Sequence, residues 1–164
     1  MKKVNNYTLF YSTFIIIIII LSIGYVYYSL FYVDEQKISD LTDNWFNQVT
    51  IHHDPEAIAN LFCRDGSLVG TVSRTKRKGK DIKLYFDYFA NLPNIRIIEK
   101  KYNISKVSAN VYINTAFITW YWDELKEPIV ARMTFVFNGN CIFQLHSSAL
   151  PNLNTNLVKI SGNI

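Results

Sequence analysis

The apolar and polar positions of this chain divide it into two parts. From Val4 to Val33 no residue is charged, and Phe14 to Ile23 is almost purely aliphatic. An α-helix rises about 1.5 Å per residue, so about 20 apolar residues cross a hydrocarbon core of about 30 Å. Leu9 to Phe31 supplies 23 uncharged positions. A helix satisfies all its backbone polar groups internally, as lipid requires. Tyr7, Tyr11, Tyr25, Tyr27, Tyr28 and Tyr32 gather toward the ends, where amphipathic rings favour the membrane interface. The pattern predicts a short cytosolic N-terminus over 1–8 and a transmembrane signal-anchor helix over 9–33. Lys2 and Lys3 precede the helix and Asp34 and Glu35 follow it. The positive-inside rule then puts the domain outside the cytosol, in a single-pass membrane protein. A competing reading is a secreted protein whose signal peptide is cleaved at the small-x-small site Ser22-Ile23-Gly24. Hydrophobicity that continues from Tyr25 to Val33 favours the anchor.

Beyond Asp34 the periods change. Leu41, Trp45, Phe46 and Val49 recur at spacings of three and four, predicting a helix over 34–52. Asp54 before Pro55 is an N-cap signal for a short second helix reaching Phe62. Residues 63–72 read as a strand. Gly79 precedes a third helix over 80–92, with Ile82, Tyr85, Phe86 and Phe89 on one face. Residues 95–107, 110–122, 128–137 and 141–150 are rich in β-branched and aromatic residues and read as strands. Asn138-Gly139-Asn140 predicts a hairpin turn, because Asn-Gly accepts positive φ. Helices followed by a run of strands make an α+β domain over 34–151, with a curved antiparallel sheet wrapping a long helix. The polar, Asn-rich stretch 152–164 has no period and is expected to be a loosely held tail.

Composition narrows the function classes. About 130 residues follow the apolar segment, enough for a real core. Of the 17 basic residues, all but Lys2 and Lys3 lie there, against 13 acidic ones. That near balance does not describe a nucleic-acid binder. Arg74, Lys76, Arg77, Lys78, Lys80 and Lys83 cluster, and read first as a solvated loop running into a helix. Cys63 and Cys141, the two cysteines, have no metal-ligand spacing. They read as two buried thiols, with a disulfide as the alternative if the domain lies in an oxidising compartment. His52-His53-Asp54 is a poor metal set, since adjacent helical residues diverge. No metal or cofactor is expected. Asn103-Ile104-Ser105 is a glycosylation sequon, meaningful only for a translocated domain in a eukaryotic host.

Two segments carry a resemblance. Ala131-Arg132-Met133-Thr134-Phe135-Val136-Phe137 is followed, after a turn, by Phe143-Gln144-Leu145-His146-Ser147-Ser148-Ala149-Leu150-Pro151. Together they resemble the C-terminal hairpin of NTF2-like (cystatin-like cone) domains. The branch is that of the association domain of calcium/calmodulin-dependent protein kinase II and the SgcJ/EcaC-type proteins. Trp45, the stretch Asp54 to Ala59, Gly79 and Tyr85-Phe86 extend the likeness over about 38–151. It implies about three helices packed on a curved antiparallel sheet, and assembly into homodimers or larger homo-oligomers through the sheet face. Cys141 stands where that branch has Trp, and Leu145 replaces the first of two histidines. Basic pocket positions of the association domain fall on Phe117, Phe135 and Ser147, so its anion chemistry is not expected here.

Site candidates follow from residue type. An inward Arg132 would bind a carboxylate or pair with Asp65 or Glu99. His146, beside Ser147 and Ser148, suits general acid/base work, with Asp65 as a second candidate. No nucleophile elbow accompanies them. A pocket for a small apolar ligand would be lined by Trp45, Tyr85, Phe117, Arg132, Phe135 and His146, with Phe89, Trp120, Tyr121 and Trp122 nearby. The first functional expectation is a membrane-tethered oligomerisation or interaction module, not an enzyme. The alternative is a ligand-binding protein, or an enzyme like the SnoaL-like cyclases and ketosteroid isomerases.

Overall fold

The computed structural model describes residues 6–71, 73 and 75–150; within the first helix, side chains are described at 11, 13–27 and from 35 onward. The expected N-terminus 1–5 and polar tail 152–164 lie outside the described residues. Two compact units are present, Met1–Lys37 and Ile38–Ile164.

The first unit contributes the larger part of helix α1, Asn6–Asn47. Its described aliphatic side chains are exposed, with Ile18 the least exposed at 48%. Among the described residues no helix is long and apolar enough to cross a membrane. Positions 9, 10, 12 and 28–33 of the expected span have side chains outside the described set.

The second unit is an α+β domain with its own core. Ile38, Thr42, Trp45 and Phe46 form the buried stripe of α1, continued by Val49 in the turn that follows it, at the spacings of three and four that a helical face demands. A π-helical turn, Gln48–His52, ends at His53, which is left-handed at φ 50°. The Asp54 carboxylate then accepts the Ala57 N–H at 2.9 Å, capping helix α2, Pro55–Asn60. Strand β1, Phe62–Val69, and the short β2, Lys76–Lys78, lead to helix α3, Lys80–Phe89. Ile82, Tyr85, Phe86 and Phe89 are its buried face. Four long strands follow: β3, Arg96–Lys106; β4, Val111–Tyr121; β5, Ile129–Asn138; and β6, Cys141–Ala149.

The six strands form one sheet in the order β2-β1-β6-β5-β4-β3. Register shifts interrupt β1–β6, β3–β4 and β5–β6, and such bulges bend a sheet. Along β4, Tyr112, Asn114, Ala116, Ile118 and Trp120 are buried against the helices while the odd positions face outward, the period of two that a sheet covered on one face produces.

Three expectations need correction. The sheet is not wholly antiparallel, because β1 runs parallel to β6. β1 arrives from the helical half of the chain and fills the open side of the last hairpin, so no turn dictates its direction. The basic segment is not only a solvated loop: Lys76–Lys78 pairs with Ser67–Val69 as an edge strand. The cysteines are not independent thiols. Cys63 and Cys141 form a disulfide with Cα atoms 5.0 Å apart, bridging 78 positions. The β1–β6 pairing brings together two cysteines that the sequence keeps far apart.

Candidate functional site

Two regions could carry function, the interior of the cone and the outer face of its sheet. The interior is lined by aromatic rings in mutual contact. Trp45 meets Phe135 at 5.3 Å and Phe86 at 5.7 Å between centroids, each edge to face. Phe46 lies 5.7 Å from Trp120, and Phe89 reaches Trp120 at 5.5 Å and Trp122 at 6.3 Å. Tyr85 stacks on Phe89 at 5.6 Å. Edge-to-face and offset contacts are the geometries aromatic quadrupoles prefer, and they fill this layer with side chains.

The polar groups among them are few. The Asn114 amide donates to Thr42 Oγ1 at 2.9 Å, and Thr42 donates to the Ile38 carbonyl at 2.8 Å. Asn114 Oδ1, Trp45 Nε1 and Trp120 Nε1 are buried without a partner among the described residues. At the boundary between α1 and β3, Asp43 accepts from Tyr102 Oη at 2.7 Å and is ion-paired with Lys100. Burial, then the Asp43 hydrogen bond and charge, push the Tyr102 phenol well above its ordinary pKa.

The residues expected to line one pocket are split between two faces. Trp45, Tyr85 and Phe135 are buried in the interior. Phe117, Arg132 and His146 lie on the outer face, exposed. Arg132 does not point inward: its guanidinium sits 5.4 Å above the Phe117 ring. It forms no ion pair with Asp65 or with Glu99, and Glu99 pairs with Lys101 at 2.8 Å. His146 pairs with Val69 of β1, while Asp65 lies within the register shift between Phe62 and Ser67 and does not line the cleft that His146 borders. The two candidate acid/base groups are not brought together.

His146 nevertheless borders a cleft of about 430 Å³ at the end of β1, together with Gly70, Thr71, Ser73 and Ser147. There the Thr71 and Ser147 hydroxyls share a 2.5 Å hydrogen bond. This cleft was not expected, because it arises where β1 parts from β6. His53 binds the Ala90 carbonyl through Nδ1 at 2.7 Å, and Asp54 caps α2, so both have structural roles. Among the described residues no group of His, Cys, Asp and Glu is placed to hold a metal ion.

The outer face is built in cross-strand rows. Lys101, Phe117, Arg132 and Ser148 form one row, and Asn103, Thr115, Thr134 and His146 the next. Phe117 is 46% exposed and Val130, across from Thr119, is 41% exposed. The parity of β4 could have identified this face from the sequence. Phe117 and Trp120 are three apart, so one strand cannot present both to the same side.

No protein-family profile and no curated protein matches the sequence. Solved structures do match. A protein from Xanthomonas campestris, provisionally assigned as a calcium/calmodulin-dependent protein kinase II association domain, is 24% identical with a TM-score of 0.61, covering 71% of this chain and 87% of that one. A protein from Streptomyces avermitilis, provisionally assigned as a dehydratase of the NTF2-like family, is 14% identical with a TM-score of 0.63, covering 73% and 97%. A protein from Parabacteroides distasonis, provisionally assigned as a ketosteroid isomerase, is 20% identical with a TM-score of 0.52, covering 71% and 88%. The chain has the NTF2-like, cystatin-like cone fold.

Proposed function

We propose that this NTF2-like domain is a membrane-tethered assembly module that pairs with a second copy of itself through the outer face of its sheet. The observation that carries the reading is the exposure of Phe117 and Val130 on that face, while the cone interior is packed with aromatic rings. Apolar side chains grouped on an exposed sheet lose water on pairing. A stable pair buries about 800 Å² per partner, an area of the order of one sheet face. The likeness to an association domain supports the same use. The apolar segment at 9–33 supplies the tether, which confines copies to one surface and raises their effective concentration. The Cys63–Cys141 disulfide supports an extracytosolic domain, since disulfides persist in oxidising compartments.

The core of the second unit is drawn entirely from Ile38 onward, so residues 34–164 serve as the test molecule. Sedimentation should give a dimer or larger species, and Phe117→Glu with Val130→Glu should return it to a monomer. A strictly monomeric wild-type domain at high concentration would sink the assembly reading. Alkaline carbonate extraction and protease protection of the full chain test the tether; a freely extracted chain with an exposed domain would defeat it.

A second reading has its own observation. His146 borders the 430 Å³ cleft that also holds the Thr71–Ser147 hydroxyl pair, an imidazole and hydroxyls suited to proton transfer on a small molecule. Neighbours assigned as a dehydratase and a ketosteroid isomerase support a ligand-binding or enzymatic use of the fold, though fold alone does not carry chemistry. Titration with a panel of small carbonyl compounds, followed through the His146 ring resonances, tests it. No saturable change at His146 would remove it.

A further inference from the structure

We infer that Asn103 is an acceptor for an N-linked oligosaccharide, and that the glycan controls whether the outer sheet face can pair. The inference rests on the extracytosolic placement proposed above, in a eukaryotic host that supplies the oligosaccharide donor. Asn103-Ile104-Ser105 is an Asn-x-Ser sequon. In the fold, Asn103 and Ser105 are both exposed, two positions apart on one strand and therefore on one face, while Ile104 turns inward against the core. Transfer requires the asparagine and the hydroxyl to be reached together. Strand β3 is the edge of the sheet, so one of its flanks is uncovered. Among the described residues the Asn103 carboxamide makes no hydrogen bond, and its backbone carbonyl accepts from Thr115 Oγ1 at 3.3 Å. Among the described residues nothing has to open for the site to be reached.

The transfer is balanced as follows. Asn103 Nδ2 forms a bond to the anomeric carbon of an oligosaccharide carried on a lipid pyrophosphate. The anomeric C–O bond breaks, Nδ2 loses one proton, and the lipid pyrophosphate leaves. No oxidant or reductant is needed, and the Cys63–Cys141 disulfide marks a domain suited to the compartment that holds such donors.

Register gives the glycan a consequence. Asn103 pairs with Thr115, one row from the Lys101–Phe117–Arg132 row. Diagonal neighbours of this kind are about 7–8 Å apart, well within the sweep of a branched sugar. A modified Asn103 would cover Phe117 and oppose sheet pairing. Asn6-Tyr7-Thr8, the sequon before the apolar segment, lies on the cytosolic side in the proposed orientation and is an internal control.

The full chain should be translated with endoplasmic-reticulum microsomes and treated with endoglycosidase. One glycan is expected, lost in Asn103→Gln and Ser105→Ala and unchanged in Asn6→Gln. A chain shown by protease protection to be translocated, yet carrying no glycan, would overturn the site while sparing the placement. A glycan on Asn6 instead would overturn the orientation beneath it. In the protein from its own cells, mass spectrometry of the peptide containing Asn103 should show the sugar, and an unmodified peptide throughout would overturn its use. Glycosylated domain should sediment as a monomer and the deglycosylated domain as a dimer; identical behaviour would overturn the control of pairing.

Discussion

The phenol of Tyr102 donates a 2.7 Å hydrogen bond to the carboxylate of Asp43, tying the edge strand β3 to helix α1. β3 has one neighbour in the sheet, β4, so this bond and the Lys100–Asp43 ion pair hold its inward face to the helix. The Tyr102 and Phe46 rings stack above them, 6.1 Å apart.

This contact predicts an alkaline weakness. Burial, then the Asp43 hydrogen bond and charge, raise the Tyr102 pKa in the fold above its ordinary 10.0. In the unfolded chain the phenol ionises near its ordinary value. Stability from this group is therefore complete below about pH 10 and is lost as pH rises from there toward the folded value. Tyr102→Phe should cost about 1 kcal/mol at neutral pH and flatten the decline above about pH 10. Urea unfolding across that range checks it; identical alkaline slopes in both proteins would refute the link.

The disulfide closes a loop of 78 positions. Chain-entropy arithmetic for such a loop gives roughly 4 kcal/mol, with measured values commonly about 2–4 kcal/mol. Replacing both cysteines by alanine should lower Tm by on the order of 10 °C. Calorimetry with and without a thiol reductant reads this directly, and an unchanged transition would show that the sheet closes without the covalent link.

Gly66 lies within the register shift between β1 and β6. A Cβ there would stand 2.7 Å from the Ile142 carbonyl oxygen and 2.9 Å from that of Cys63. Both obstacles are backbone and cannot swing aside. Gly66→Ala should cost about 1–3 kcal/mol, and denaturant unfolding with no loss would mean that the bulge can re-form around a methyl group.

Phe117→Ala should separate assembly from stability. The ring is exposed in the single chain, so its removal should change unfolding free energy by less than about 0.5 kcal/mol. At the centre of a pairing face, the same truncation should weaken association by about 1–2 kcal/mol. Sedimentation and thermal unfolding on one preparation provide both numbers. Equal losses in the two would place Phe117 in the fold and outside any interface.

Local patterns were legible where the chain is locally decided. The α1 stripe through Trp45 and Phe46, the Asp54-Pro55 cap and the Asn138-Gly139 hairpin each rest on neighbours a few positions apart. β2 escaped notice because three basic residues, Lys76 to Lys78, carry no apolar alternation, and their pairing depends on β1 being there already. The disulfide and the parallel β1–β6 contact are long-range facts without a local signal. The orientation of Arg132 was misread for a different reason. Alternation shows that 132, 134 and 136 share a face, but choosing the inner face requires weighing them against Ala131, Met133, Phe135 and Phe137. Those four are the buried set, and their bulk was available in the sequence. The cleft beside His146 exists only because two strands part in space.

The strand order also sets a timetable. β6 is the last strand among the described residues yet stands inside the sheet, between β1 and β5. A polypeptide emerging from its N-terminus can form α2 and α3 and can join β3, β4 and β5 as neighbours. It cannot seat β1 until residues 141–149 have been made. Until then β1 and the inner edge of β5 are open to other strands, and such species are prone to aggregate. The domain is thus committed to finishing its sheet after synthesis of its final strand, and whatever escorts the chain must hold it until that moment.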